Sequence, residues 1–162
     1  MSLKRTLAAL ALTIAAFGQT MPAPPAIVPY GAPVSPDVAK KMAAAATAEA
    51  QKNNWAMAVA IVDGAGYLVY FERMPDTQLG SVEIAIEKAK TAALFRRSTK
   101  SFQDAVAGGG EGLRMLRLTG VIPVEGGIPI IVGGKLIGAI GASGGSSDQD
   151  AHAAQAGAAA TK

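Results

Sequence analysis

The chain has 162 residues, no cysteine, 19 glycines and 9 prolines, and half of its residues are hydrophobic. This length suits a single domain, because domains cluster at about 100–150 residues. The absence of cysteine excludes a disulfide scaffold, a thiolate metal site and a cysteine nucleophile. The apolar content is too high, and the net charge of +3 too small, for a disordered chain.

Residues 1–18 have the layout of a secretory signal peptide. Lys4 and Arg5 form a positively charged N-terminal region, and Leu7–Phe17 is an apolar run. Ala16–Gly18 is a plausible cleavage site. The run is shorter than the roughly 20 residues that a membrane span needs; the alternatives are an uncleaved anchor and an ordinary buried helix. Cleavage would remove two of the 15 basic residues, leaving 13 against 12 acidic ones. We therefore expect a secreted or periplasmic protein with almost no net charge.

The mature chain is predicted to begin with a linker followed by a helix. Residues 19–34 contain five prolines, which predicts an extended segment, ordered in part against a neighbour, ahead of a domain over residues 35–162. Ser35 can cap a helix, Pro36 suits the first helical position and Asp37 is an acid in the first turn. These residues predict a helix from Pro36 to Lys52.

A hairpin and a second helix are predicted next. Met57–Asp63 and Tyr67–Arg73 are strand-like runs joined by a glycine turn. Ser81–Arg97 has helical periodicity, with Ser81 as a candidate cap and two arginines at the negative end of the helix.

The remaining elements complete the predicted fold. Lys100–Ala107 is expected to be a short helix, and Val121–Val124, Ile128–Val132 and Leu136–Ala142 are expected to be strands separated by glycines. A last helix is expected to end near Ala160. The fold class is therefore predicted to be α+β, with a five-stranded antiparallel sheet covered by helices.

Lys88 is the most informative charged residue of the second helix. On a helical wheel it falls between Phe95 and Ala92, beside the apolar face rather than among the polar side chains. A desolvated ammonium needs a carboxylate, an anionic ligand or a path to water. Ligand binding, a structural ion pair and a side chain that reaches to solvent are therefore all open.

A glycine-rich segment precedes the last helix. Ser143–Ser147 could present free backbone amides to a carboxylate or phosphate, or could simply form a strand-to-helix turn with a polar cap. Its spacing matches neither a phosphate-binding loop nor a dinucleotide-binding fingerprint. Asp150, in the first turn of that helix, could pair with Lys88 or Arg73 or could serve the helix dipole.

His152 is the single histidine of the chain, and the wheel places it on an exposed face. One histidine cannot build a usual catalytic zinc site, which needs three protein ligands. His152 therefore stays a weak candidate for a metal ligand.

Three segments together resemble the GlcG/HbpS family, the haem-degrading-domain family that includes the C-terminal domain of PduO-type proteins. They are Val59–Met74, Ser81–Phe95 and Val124–Asp150, and the run GGIPI, GGKLIGAIG, SGG and QD is the most specific part. The resemblance extends over residues 36–160. It implies a profilin-like sandwich that assembles into homo-oligomers, up to octamers, and it implies haem or iron as ligand for some members and glycolate or propanediol metabolism as the setting of others.

The resemblance and the wheel together define a candidate binding site. Its expected ligand-binding residues are Lys88, Thr91, Phe95, Arg73, Gly126, Gly127, Ser143, Gly144, Gly145 and Asp150. The first hypothesis is a haem-binding protein, for which His152, a methionine or a tyrosine could be the axial ligand; haem degradation and iron binding stay open. The second is an enzyme or sensor for a small organic acid, and the third is a purely structural oligomer. Nucleic acid is not expected as a partner, because the mature charge is close to zero.

Overall fold

The computed structural model describes residues 27–161. The predicted signal peptide, residues 1–18, lies outside the described residues. The elements, in chain order, are α1 (Pro36–Lys52), β1 (Ala58–Asp63), β2 (Leu68–Arg73), α2 (Ser81–Phe95), α3 (Thr99–Ala107), a 3₁₀ helix (Gly110–Arg117), β3 (Gly127–Val132), β4 (Lys135–Ser143) and α4 (Ser147–Ala159). Between residues 27 and 161, no helix is long and apolar enough to cross a membrane.

The sheet has four strands in the order β2-β1-β4-β3, and every neighbouring pair is antiparallel. The α+β class and the antiparallel arrangement are confirmed, but the prediction of five strands is wrong. Val121–Val124 is a loop. Pro123 has no N–H to donate, and the Ile122 N–H donates to the Thr91 hydroxyl at 3.0 Å rather than to a strand.

Helices cover both faces of the sheet. On one face, α1 and α4 pack over Val59, Ile61 and Ile140. On the other face, α2 packs its alanines against Ala58, Ala60 and other small residues. Because successive strand side chains point to opposite faces, β1 supplies both cores. This three-layer arrangement fits the predicted covering of the sheet by helices.

The contact between α2 and β4 is unusually close because both surfaces are built of small residues. A Cβ placed on Gly141 of β4 would overlap the Ala85 carbonyl oxygen and the Ala89 amide nitrogen of α2. Helix and strand backbones therefore touch directly at this point. The close approach fixes where the rest of α2, including Lys88, meets the sheet.

Helix boundaries follow local capping chemistry. The Ser35 side chain accepts a hydrogen bond from the Val38 amide, as predicted for α1. At α2 the cap position is Gly80, and Ser81 is the first helical residue, so the prediction of a Ser81 cap is wrong. The helix also ends at Phe95, two residues before the predicted end, because Arg96 adopts a left-handed conformation with φ 53°.

Residues 29–34 lie alongside β4 and are called the strap below. The Leu136 amide donates to the Pro29 carbonyl at 2.9 Å, and the Gly31 and Val34 amides donate to the carbonyls of Leu136 and Ile137. Since β1 ends opposite Gly138, the strap provides hydrogen-bond partners farther along β4. Part of the segment predicted as a linker is thus bound to the sheet.

Candidate functional site

Lys88 is buried, with 1% of its surface exposed, and its charge is compensated within the chain. Its Nζ lies 2.6 Å from the Asp150 carboxylate and donates to the Ala142 carbonyl at 3.2 Å. A buried ammonium requires such partners because desolvation of a bare charge is costly. Of the alternatives that the sequence left open, the structure shows the ion pair with Asp150.

Asp150 accepts hydrogen bonds from both the lysine and the glycine-rich segment. The Gly145 amide donates to its second carboxylate oxygen at 3.0 Å. Burial raises the pKa of the Asp150 carboxyl, while the hydrogen bond and charge of Lys88 and the backbone amides of Gly145 and Gly144 oppose that rise. The amides that could have bound an external anion therefore bind an internal carboxylate.

Gly126 and Gly127 cover this ion pair on the side of β3. A Cβ on Gly126 would lie 2.9 Å from the Lys88 Nζ, and one on Gly127 would overlap the Lys88 carbonyl group. The Gly127 amide also donates to the Thr99 hydroxyl at 2.9 Å. Only glycine fits between the chain and the buried pair at these positions, and residue 126 also has a φ of 124°.

A cleft of about 210 Å³ opens outside these glycines. Its lining consists of Ser98, Lys100, Glu125, Gly126, Gly127, Ile128, Ala151 and Gln155. Lys100 lies 2.8 Å from Asp104 and 4.0 Å from Glu125, so the exposed cation at the rim also has acidic neighbours. The cleft thus offers polar groups without a strong positive charge.

The other predicted binding residues lie in several places. Ser143 is buried, and its hydroxyl is 3.2 Å from that of Ser81, close to the Ala142 carbonyl that Lys88 binds. Thr91 anchors the loop before β3 by accepting from Ile122 and donating to Gly120. Arg73 is exposed at the end of β2 and forms no ion pair with any residue between positions 27 and 161.

Phe95 lies at the end of α2 and packs on α3 rather than on the ion pair. Its ring meets that of Phe102 edge-to-face at 5.4 Å between centroids, and the Arg97 guanidinium lies 4.3 Å above the Phe102 ring. The structure therefore brings together Lys88, Asp150, Ser143 and the four glycines at 126, 127, 144 and 145. Thr91 is beside this group, and Phe95 belongs to a separate aromatic contact.

A second, larger groove of about 460 Å³ was not predicted from the sequence. Its lining consists of Tyr30, Gly31, Pro33, Asp63, Gly64, Ala65 and Leu94. The strap, the β1–β2 turn and the end of α2 form its walls. No local motif could have revealed it, because Tyr30 and Leu94 are 64 residues apart and meet only when the strap binds β4.

His152 is exposed, as the wheel predicted, and joins α4 to α1. Its Nε2 lies 3.0 Å from the Glu49 carboxylate, and its ring meets Trp55 edge-on at 5.8 Å. Within residues 27–161, no group of three or more histidine, aspartate or glutamate side chains could hold a metal ion. His152 thus has a structural partner in the carboxylate of Glu49.

Glu49 should make the fold sensitive to acid, because hydrogen bonds from Asn53 and His152 lower its pKa from 4.5. A carboxyl group with a lowered folded-state pKa stabilises the fold above its unfolded pKa, and this contribution is lost as the pH falls through the folded value. We expect Glu49→Gln to melt at a lower temperature than the wild type at neutral pH and to approach the wild type well below pH 4.5. Thermal unfolding of both proteins across this range checks the effect; a constant difference at every pH would contradict it.

Comparison with known proteins places this geometry in a family. A family model described as haem degrading protein HbpS-like matches residues 34–159. The chain belongs to the HbpS-like family. GlcG of Escherichia coli K12 is 41% identical over 110 residues, which are 68% of this chain and 81% of that protein. The corrinoid adenosyltransferase PduO of Salmonella typhimurium is 38% identical over 113 residues, 68% of this chain but only 34% of that enzyme.

Solved structures of HbpS-like proteins have the same fold. The crystal structure of a PduOC–haem complex has a TM-score of 0.71 and 35% identity, covering 79% of this chain and 94% of that one. An HbpS double mutant from Streptomyces reticuli has a TM-score of 0.74 and 27% identity, covering 93% and 97%. The family resemblance drawn from the glycine motifs is thus confirmed.

Proposed function

We propose that this HbpS-like chain is a haem-binding protein. The observation that carries the proposal is its similarity to PduOC, whose crystal structure contains haem, over 79% of the present chain. The family description as haem degrading supports the same ligand. The proposal concerns binding, and haem degradation or iron binding would be an additional activity.

The described residues include groups that suit haem. Haem combines an apolar macrocycle with two anionic propionates and an iron atom that accepts histidine, methionine, cysteine or tyrosine as ligand. The larger groove offers apolar walls at Pro33 and Leu94 and the phenol oxygen of Tyr30, and its volume falls within the range of about 300–1,000 Å³ typical of ligand pockets. When bound, haem would supply an iron centre. This chain would supply an apolar wall for the macrocycle, a side chain that binds the iron, and positive charge for the propionates.

We further propose that the mature protein is exported and forms homo-oligomers. Residues 1–18 support export through their charge and apolar pattern. Exposed apolar side chains support self-association, since large uncovered apolar patches are uncommon on monomers. They include Leu113 and Leu116 in the 3₁₀ helix and Ile131 and Val132 in β3.

A titration with hemin tests the proposed function. We expect a saturable shift of the Soret band with Kd of about 1 µM or tighter, equivalent to about −8.2 kcal/mol. Leu79→Ser is a suitable control because Leu79 is exposed and lies outside both clefts; it should leave the titration unchanged. A linear rise without saturation, or loss of the signal in Leu79→Ser, would indicate adsorption to apolar surface and contradict specific binding.

A small organic acid is the second candidate ligand. The cleft outside Gly126 and Gly127, with about 210 Å³ and polar groups at Ser98 and Gln155, is the observation that favours it. Such an acid would bind there without direct access to Lys88, whose ammonium lies behind the glycines and binds Asp150. Glycolate that raised the melting temperature while hemin failed to bind would favour this candidate over haem.

A further inference from the structure

The groove behind the strap has walls from three separate parts of the chain. The strap contributes Tyr30 and Pro33, the β1–β2 turn contributes Ala65, and α2 contributes Leu94. Hydrogen bonds to β4 hold the strap in place, and the Arg96 guanidinium donates to the Val28 carbonyl at 3.1 Å. The groove is therefore a built feature of the fold, with backbone and side-chain bonds that fix its walls.

Few polar groups inside this groove lack a hydrogen-bond partner. The Asp63 carboxylate accepts from the amides of Ala65 and Tyr67, both at 2.9 Å, and so serves the turn. The Tyr30 side chain is 50% exposed, and its hydroxyl donates to the Leu94 carbonyl at 3.3 Å. That bond is long for O–H···O geometry, so little is lost when the oxygen takes another partner.

Arg96 supplies positive charge at the edge of the groove. Its guanidinium carbon lies 5.2 Å from the centroid of the Tyr30 ring, within cation–π range. A guanidinium has five N–H donors, and the bond to Val28 uses one of them among the described residues. The remaining donors can bind a carboxylate beside the phenol.

We propose that this groove is the haem site, with the Tyr30 oxygen as iron ligand and Arg96 as the partner of a propionate. The inference rests on the proposed haem-binding function. An apolar wall, a tyrosine oxygen and an adjacent guanidinium match the macrocycle, the metal and the anion of one ligand. On binding iron, Tyr30 exchanges its O–H bond for an O–Fe bond and releases the proton to solvent.

Ala65→Trp tests the groove because Ala65 is exposed and lines it, and the substitution fills the space without removing a hydrogen bond. Ala44→Trp, at an exposed position on α1, is the matched control. We expect Ala65→Trp to weaken hemin binding at least about tenfold, equivalent to 1.4 kcal/mol, while Ala44→Trp binds as the wild type does. If both variants bind like a wild type that takes up hemin, the groove assignment is wrong and the proposed function stands.

Tyr30→Phe tests the ligand assignment through the absorption spectrum of the bound hemin rather than through activity. Tyr67→Phe is the matched control because Tyr67 is 74% exposed and does not line the groove. We expect Tyr30→Phe to change the Soret and visible bands and Tyr67→Phe to leave them unchanged. An unaltered spectrum in Tyr30→Phe overturns the assignment of Tyr30, and a wild type that binds no hemin overturns both the site and the proposed function.

Discussion

Replacing Lys88 with methionine is expected to destabilise the fold by about 3–5 kcal/mol, because it leaves Asp150 as an uncompensated buried carboxylate. This loss is a large part of the 5–15 kcal/mol by which domains are typically stable. Equilibrium unfolding in urea, with the midpoint and slope compared between variant and wild type, measures it.

Lys90→Met is the matched control on the same helix. Lys90 also pairs with a carboxylate, that of Glu87 at 2.9 Å, but both side chains are more than a third exposed. Exposed pairs contribute about 0–1 kcal/mol, so this variant should unfold nearly as the wild type does. If Lys88→Met and Lys90→Met lose the same free energy of unfolding, the buried Lys88–Asp150 pair contributes no more to stability than the exposed pair.

The pH dependence of the Lys88→Met protein separates a charge effect from a packing effect. Without the ammonium, only the backbone amides of Gly145 and Gly144 oppose the effect of burial on Asp150, so its folded-state pKa rises further above the unfolded value. A raised folded-state pKa stabilises the fold below the unfolded pKa, and the stabilisation is lost as the pH rises through the folded value. The loss of unfolding free energy in Lys88→Met, relative to the wild type, should therefore be smaller near about pH 4 than near about pH 8. Adding Asp150→Asn to this variant should reduce the loss at the higher pH.

Gly141→Ala is expected to cost about 3 kcal/mol or more, at the upper end of what overpacking a core costs. The added methyl would overlap the Ala85 carbonyl oxygen and the Ala89 amide nitrogen. These are backbone atoms of α2, which cannot rotate aside as a side chain could. The helix must therefore move away from the sheet, and Lys88 moves with it.

Gly80→Ala provides the comparison for that substitution. Gly80 has a φ of −62°, and a Cβ there would meet nothing within 4 Å. Alanine at such a position is neutral or stabilises by about 0.4–1 kcal/mol through the unfolded state. Thermal and urea unfolding of both variants checks the difference; a small loss in Gly141→Ala would mean that α2 and β4 separate easily.

The sequence predicted the elements that depend on local chemistry. The cap at Ser35, the hairpin and the periodicity of α2 each depend on residues close together in the chain. The wheel also placed Lys88 beside the apolar face, and the acid in the first turn of α4 was among its predicted partners. The sequence could not show that Lys88 binds Asp150 rather than an external anion. The two residues are 62 positions apart and come together only when α2 and α4 have packed on the sheet.

The remaining errors arise from long-range contacts. Val121–Val124 has strand-like composition, but its backbone bonds the side chain of Thr91 instead of a strand. The groove behind the strap was missed for the same kind of reason, since a proline-rich segment gives no indication of which distant strand it will join. The role of the predicted ligand-binding residues in binding a ligand stays a prediction.

The strap also determines where the folded unit can be shortened. A chain trimmed to begin at Ser35 would keep every helix and strand found between residues 27 and 161, yet the Leu136 amide and carbonyl would lose their partners in Pro29 and Gly31. That end of β4 would then present unpaired backbone groups, which invite pairing with another molecule and aggregation. The ordered part of the described chain therefore begins before α1, and a shortened chain that keeps Pro29 and the residues after it should retain these hydrogen bonds.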